Sequence, residues 1–278
     1  GEAFQKAGAD RLEREIRWLK KHRIDLVLTD VPSFPVAAAA HLGLPSLVIG
    51  NFTWHDIYRH LPGAERHRPF LAALEEEYAA ASLQVLPQCH VANGVIPRKK
   101  EVGFIALRGR SVRSELEPVL EGSLDNKTLV FLYFGELGEK PVAWEALTGL
   151  SDCVFVTRDQ LPRNLPNLFI LDDRFRYPDL VASSDLVCTK AGYSTLATAF
   201  AHGKPVLCSP RDHFHEFEIM KDYLSRHRVG RILEADRFYS GRWEEDIKKT
   251  RELTVKDKVP LNGENEVARL IEHFLGPP

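Results

Sequence analysis

A chain of 278 residues is long enough to bury two α/β cores or one large one. Its apolar content of 44% and charged content of 27% are those of an ordinary globular protein, and a formal net charge of −2 lacks the basic excess that binding to a nucleic-acid backbone requires. No run approaches the ~20 consecutive apolar residues of a membrane span, and the opening residues lack the charged-then-apolar pattern of an export signal.

In chain order, Leu12, Ile16 and Leu19 recur at helical spacing, and the basic "KKHR" that follows suits a helix C-terminus before the strand "IDLVLTD", residues 24–30. "PVAAAAHL" (35–42) reads as a helix with Pro in its first turn, and "LPSLVIGN" (44–51) as a buried strand. A helix over 68–82 then leads to the strand "SLQVLP". Around 94–126 the pattern loosens into Pro, Gly and charge, which predicts a domain boundary: residues 1–110 form one domain and 111–278 another. The strands "TLVFLYFG" (128–135), "CVFVT" (153–157), "NLFIL" (167–171), "DLVCT" (185–189) and "PVLCS" (205–209) follow, separated by turn or helix signals. Alternation of this kind means parallel sheets covered on both faces, and a last helix with Val267, Leu270, Ile271 and Phe274 on one face closes the second domain. Four cysteines, Cys89, Cys153, Cys188 and Cys208, lie far apart, three of them in apolar runs. They predict buried reduced thiols and a cytoplasmic protein rather than a disulfide framework or zinc cluster.

Ligands of parallel sheets collect where strands end, so the residues to inspect are Asp30, Asn51, Gly135, Glu136, Arg158, the 190–195 turn and the 210–216 loop. "CTKAGYSTLATAFAHGKPVL" (188–207) holds Gly192, Ser194 and Thr195 between a strand and an Ala-rich helix, where a helix entrance would offer N–H groups and partial positive charge to an anion. The plain alternative is a tight turn at Gly192 with Ser194 as a helix cap. Gly-Tyr-Ser matches only the first part of the hydrolase elbow G-x-S-x-G, because position 196 is Leu. Neither G-x-x-x-x-G-K-[ST] nor G-x-G-x-x-G occurs. His213, His215 and Glu216 are acceptable metal ligands, but not at H-E-x-x-H spacing, so no metal is expected. Arg211 and Glu216 read as polar groups offered to a hydroxylated or charged ligand, with Glu216 as a helix-starting acid the bland alternative. Arg174, Phe175 and Tyr177 follow a strand and could wall a flat base, or could be surface groups without function. Asp30 could orient a catalytic base or simply bond the turn before Pro32. His55 faces the same edge if a helix starts at Thr53, and His41 reads as a helix-surface residue.

The stretches "DLVLTDVPSFPVAAAAHLGLPSLVIGNFTWHDIY" and "PDLVASSDLVCTKAGYSTLATAFAHGKPVLCSPRDHFHEFEIMKDYL", with the closing "LNGENEVARLIEHFL", resemble the glycosyltransferase-like domain that precedes the sugar kinase in plant L-arabinokinase, and its stand-alone bacterial relatives. More distantly the chain resembles the GT-B superfamily, which includes plant UDP-glycosyltransferases and the enzyme that makes lipid II. The resemblance implies an α/β GT-B fold of two Rossmann-like domains with parallel sheets facing a cleft. It also implies an N-terminal domain lacking the first strands and the Gly/His loop that carries the base in relatives. It implies a nucleotide-sugar held by the C-terminal domain and an acceptor held by the N-terminal one. By this likeness Gly192, Tyr193, Ser194 and Thr195 meet the diphosphate, Arg174 and Phe175 the base, and Arg211 and Glu216 the sugar, while Gly135 and Glu136 line the cleft. Asp30 matches the acid that pairs with a catalytic histidine. Relatives carry Glu six residues after the cradle glycine, where it bonds ribose; here Thr198 stands in its place.

The expected activity is therefore transfer of a sugar from a nucleoside diphosphate sugar, with UDP the expected nucleotide, to a hydroxyl acceptor, without metal or other cofactor. The alternative is a non-catalytic domain that binds or senses a sugar nucleotide. The basic helix from Arg11 to Arg23 reads first as a solvated face and only secondarily as a membrane contact.

Overall fold

The computed structural model describes residues 2–91, 94–120, 122–135, 141–161, 165–211 and 215–276, with side chains from Asp10 onward. Backbone contacts divide the chain into two units: Gly1–Phe104, His213–Ile219 and Asn262–Pro278 form the first, Ile105–Asp212 and Met220–Leu261 the second.

The first unit runs α1 (Glu2–Lys21), β1 (Val27–Thr29), α2 (Phe34–His41), β2 (Ser46–Ile49), α3 (Trp54–Arg59), α4 (Arg68–Ala79), β3 (Leu83–Pro87) and β4 (Lys99–Val102). Its strands pair in chain order and all in parallel. Leu19 of α1 is buried with Val27, Ala38 and Ala39, and Leu12 and Ile16 pack against this cluster, as their helical spacing predicts. β4 falls in the stretch whose pattern is loose. Lys99, Lys100 and Glu101 are all exposed there, because an edge strand needs no apolar face and is protected from further pairing by charge.

The second unit begins with the short α5 (Arg113–Leu116) and continues β5 (Thr128–Tyr133), β6 (Cys153–Thr157), β7 (Leu168–Ile170), α6 (Tyr177–Ser183), β8 (Leu186–Thr189), α7 (Tyr193–Ala201) and β9 (Val206–Cys208). α8 (His215–His227), through which the division between units passes, is followed by β10 (Gly230–Ile232), α9 (Ala235–Tyr239) and α10 (Glu244–Arg251). The sheet order is β10-β9-β8-β5-β6-β7, and every neighbouring pair is parallel. Consequently all six carboxyl ends lie along one edge. β5 is central, and Leu129, Val130, Phe131 and Leu132 are wholly buried, which accounts for its unbroken apolar run. Beyond it Phe134 enters an aromatic cluster with Trp144, Phe238 and Trp243, in which the last two stack with ring centroids 5.5 Å apart. All four cysteines are buried and unpaired.

The closing helix α11 (Gly263–Leu275), expected in the second domain, lies in the first unit. Its first turn meets the end of β4: Gly263 N–H donates to the Phe104 carbonyl at 3.1 Å, and the Glu266 carboxylate accepts Gly103 N–H at 3.0 Å. A Cβ at position 263 would sit 2.1 Å from the Gly103 oxygen, so only glycine permits the approach. Gly263→Ala is therefore expected to lower thermal stability by about 2 kcal/mol or more, whereas Gly149→Ala, with nothing within 4 Å of the new atom, should stay within about 0.5 kcal/mol. Equal melting temperatures for the two variants would contradict this packing.

Candidate functional site

In the second unit, β5 and β8 are adjacent, and the pairing of Tyr133 with Thr189 brings their two exit loops side by side. From β8 the chain passes Lys190 and Ala191, which takes a left-handed φ of +59°, and reaches Gly192, the residue that caps α7. The Ala191 N–H is turned inward to the buried Cys208 sulfur. Gly192 has an ordinary φ of −74°, so the turn itself does not require glycine there. What the missing side chain leaves is room: a Cβ on Gly192 would meet no atom within 4 Å. The tight turn belongs to Ala191.

No side chain caps α7. Its first carbonyl bonds are Thr195 N–H and Leu196 N–H to the Gly192 carbonyl, at 3.0 and 3.1 Å, while the N–H groups of Gly192 and Ser194 donate to nothing among the described residues. Ser194 is exposed and Thr195 buried. The Tyr193 hydroxyl accepts the Ile105 N–H at 3.0 Å, so this side chain anchors the start of the second unit. Thr198 is completely buried and donates to the Ser194 carbonyl at 2.7 Å, which holds its hydroxyl against the helix backbone. Tyr177 of α6 packs on Tyr133 with centroids 4.8 Å apart. Burial raises its phenol pKa, partly offset by the neighbouring Thr195 and Thr198 hydroxyls, although no bond of full geometry forms to it.

Gly135, in the facing loop, does take a left-handed φ of +62°. Its N–H and that of Phe134 both donate to Asp159 Oδ2, at 2.9 and 2.5 Å, so Gly135 contributes space rather than a donor. The Lys190 Nζ would lie 3.5 Å from a Cβ at Gly135, which sets an ammonium group between the two loops. Lys190 makes no ion pair among the described residues. Lys190 falls in the 190–195 turn singled out by the sequence, which gives it no role of its own, although its place directly after a strand and two residues before the open glycine is a legible signal. Glu136, expected beside Gly135, lies outside the described residues, as does His213. Arg158 ion-pairs with Asp173, and Arg211 follows β9, half-buried.

Arg174 and Phe175 follow the edge strand β7. Arg174 is exposed, and its side-chain bonds to Asp172 push that carboxyl below its usual range. Phe175 is buried to 7% exposure, so its ring face is not an open wall for a base.

The first unit holds Asp30 and Glu216. Asp30 is exposed just past β1, followed by Val31 at φ +80°, a costly conformation for a β-branched residue. The buried Tyr78 hydroxyl donates to the Val31 carbonyl and accepts the Trp54 N–H, tying this turn down. The bond to Pro32 comes from the Thr29 hydroxyl rather than from Asp30. Glu216, expected near a sugar with Arg211, is buried and accepts the Asn51 side-chain N–H at 2.7 Å. His55 starts α3 behind a Thr53–Asp56 capping box, is buried, and leaves Nδ1 without a partner. His60 stacks on His215 at 3.9 Å, and His41 is exposed at the end of α2. Among the described residues no group of three or more His, Cys, Asp or Glu is placed to hold a metal, and no helix is long and apolar enough to cross a membrane.

Tyr78→Phe leaves the Val31 carbonyl and Trp54 N–H without their buried partner, so it should destabilise by about 1–3 kcal/mol in chemical denaturation. A change under about 0.5 kcal/mol would remove Tyr78 as the clamp on the Asp30 turn. His202 and His215 are both held below the ordinary histidine pKa, chiefly by burial, with Arg108 and Lys204 adding at His202 and His60 and Arg59 at His215. Each binds a proton less readily folded than unfolded. Their contribution is full above the ordinary value of about 6.5 and is lost as pH falls through it and past the lowered folded values. Melting temperature should therefore drop between about pH 7 and 5, and His202→Gln with His215→Gln should flatten that slope. An unchanged slope in the double variant would refute the assignment.

Comparison with known proteins places this architecture. No family model matches the chain. It is 25% identical over 275 residues to L-arabinokinase of Arabidopsis thaliana, covering 95% of this chain and 26% of that protein, so the chain spans about a quarter of the length of the curated relative it matches. Among solved structures, the glycotransferase of kitacinnamycin superposes with a TM-score of 0.66 at 14% identity, covering 99% of this chain and 82% of that one. Spinosyn rhamnosyltransferase SpnG complexed with thymidine diphosphate gives 0.65 at 16% identity over 96% and 78%. A UDP-glucosyltransferase from Polygonum tinctorium gives 0.63 at 14% identity over 95% and 74%. The fold is that of GT-B glycosyltransferases, with two parallel-sheet α/β units.

Proposed function

We propose that the chain binds a nucleoside diphosphate sugar at the carboxyl edge of the β5–β8 pair and belongs to a protein that transfers the sugar to a hydroxyl acceptor. The observation that carries this reading is the conjunction at residues 190–194: open space over Gly192, backbone donors at Gly192 and Ser194, and the Lys190 ammonium beside them. A diphosphate is an extended dianion or trianion. A helix entrance with unsatisfied N–H groups and a lysine supplies donors and positive charge without a metal.

In the transfer, the acceptor oxygen forms a bond to the anomeric carbon as the bond from that carbon to the β-phosphate oxygen breaks. Negative charge then grows on the departing diphosphate, where Lys190 and the α7 entrance stabilise it more than they stabilise the donor. The acceptor proton must pass to a base, and the resemblance to GT-B enzymes makes Asp30, exposed in the first unit, the acid that orients it. The relatives' names support both nucleotides: one is a rhamnosyltransferase bound to thymidine diphosphate, another a UDP-glucosyltransferase. Thr198 is sealed in α7 and spends its hydroxyl on the Ser194 carbonyl, so it supports neither nucleotide over the other. The match to one quarter of a plant L-arabinokinase supports kinship with the part of that protein it covers. A domain that binds a sugar nucleotide without catalysis is the alternative.

Calorimetric titration with UDP and thymidine diphosphate tests the site. Gly192→Asp places a carboxylate at a helix cap with room to hold it, so the fold should keep its melting temperature while nucleotide affinity falls about 100-fold or more. Lys190→Met should weaken binding about 10-fold or more. Full affinity in Gly192→Asp would sink the assignment. Asp30→Asn should leave affinity intact and lower acceptor-dependent release of the nucleoside diphosphate, whereas no such release from the unaltered chain with any hydroxylated acceptor selects the non-catalytic alternative.

A further inference from the structure

A second concave site lies at the opposite edge of the same sheet, where β5, β8 and β9 begin. Lys127, Asp185, Lys204, Arg251 and Leu253 line a groove of about 550 Å3 there, together with the Gly203–Pro205 turn. The six residues of β5 separate this edge from the Gly135 loop, a span of about 20 Å at ~3.3 Å per residue, so the two sites do not share a ligand.

The charges of this groove do not balance. Asp185 is its single acid, and that carboxylate is fully engaged: Arg113 Nη1 donates to Oδ1 at 3.2 Å and to Oδ2 at 3.3 Å, and Leu129 N–H donates to Oδ2 at 2.7 Å. The three remaining cations have only neutral partners or none. Lys127 Nζ donates to the Ser151 carbonyl and Arg251 Nη1 to the Thr128 hydroxyl, each at 2.6 Å. Lys204 has neither hydrogen bond nor ion pair among the described residues, although it is half-buried. Burial pulls the Lys204 pKa down against the opposing pull of Asp185, with Arg113 adding to the fall; the ammonium there has lost water and shares its nearest counter-charge with Arg113. A cation just past α7 suits that helix's C-terminal dipole, but the dipole accounts neither for the burial of Lys204 nor for Lys127 and Arg251 beside it. The chain as a whole is acidic by two charges, so this is a local concentration rather than a general excess.

We infer that this groove binds a soluble phosphorylated small molecule, whose phosphate oxygens are met by Lys127, Lys204 and Arg251. Three cationic donors, two on separate loops and one at the end of α10, suit a group with several anionic oxygens better than a single planar carboxylate. A free ligand is favoured over a lipid headgroup because the large apolar side chains exposed among the described residues, such as Trp18, Phe70 and Leu107, do not line the groove. Leu253 within it is half-buried, which leaves nothing there to enter a bilayer.

The probe is inorganic tripolyphosphate, titrated calorimetrically into the full chain carrying Gly192→Asp, so that the α7 entrance is closed. Binding should persist, weaken with added salt, and fall about 10-fold or more in Lys204→Met and in Arg251→Met, while Lys100→Met on the exposed β4 edge leaves it unchanged. Lys127→Met replaces either variant that melts more than a few degrees low. UDP affinity in the otherwise unaltered chain should not respond to Lys204→Met, which keeps this proposal separate from the donor site. The proposal is overturned if tripolyphosphate does not bind, or if its binding ignores the groove variants. It is equally overturned if the chain sediments with phosphatidylcholine vesicles containing phosphatidic acid yet takes up no tripolyphosphate.

Discussion

Four parallel pairs, from Val130 with Leu186 to Tyr133 with Thr189, join β5 to β8, and nearly everything of functional interest in the second unit depends on them. β5 and β8 are separated in sequence by two other strands, yet the sheet order makes them neighbours. Their exit loops therefore meet: Gly135 turns on one side, Lys190 reaches across, and α7 opens toward the same space. The buried run Leu129–Leu132 fixes the β5 position, and the Phe134 ring, locked among Trp144, Phe238 and Trp243, fixes where its loop leaves the sheet. The proposed cradle, of backbone N–H groups and one lysine, needs such a base, because it has few side chains of its own with which to correct an error in position.

The first unit follows another logic. Its exit loops are stiffened by side chains that bond backbone groups, with Tyr78 holding the strained Val31 turn and a capping box starting α3. Glu216 belongs to this network through Asn51. A buried carboxylate bonded to an amide is a structural pin before it is a ligand group, and the cost of breaking such a contact keeps it there. Asp30, by contrast, is exposed, and the strained Val31 that follows it is held by the neighbouring clamp.

Apolar runs, proline and glycine punctuation and the alternation of strand with helix determine, in the sequence by itself, that this is a chain of parallel α/β layers; all eight expected strands are present, each shortened by a residue or more or kept whole. The two strands outside that reading, β4 and β10, carry Lys-Lys-Glu and Gly-Arg-Ile; both are edge strands, each paired with the strand before it in the chain, and pairing supplies what local pattern lacks. The open glycine at 192 and the helix behind it are likewise legible, since a small residue between a strand and an Ala-rich helix announces a helix entrance.

Only the tertiary structure decided which side chains at those strand ends are buried and which are open. Phe175, Thr198 and Glu216 have the right chemistry on paper and are buried, while Lys190, unremarked in the motif, stands beside the gap. It also decided that α11 packs on the end of β4 through Gly263, and that Lys127, Lys204 and Arg251 converge on a groove whose one acid, Asp185, is already bound to Arg113. The reason is physical: periodicity reports what each residue does along its own element, whereas burial and charge balance are properties of residues brought together from distant parts of the chain.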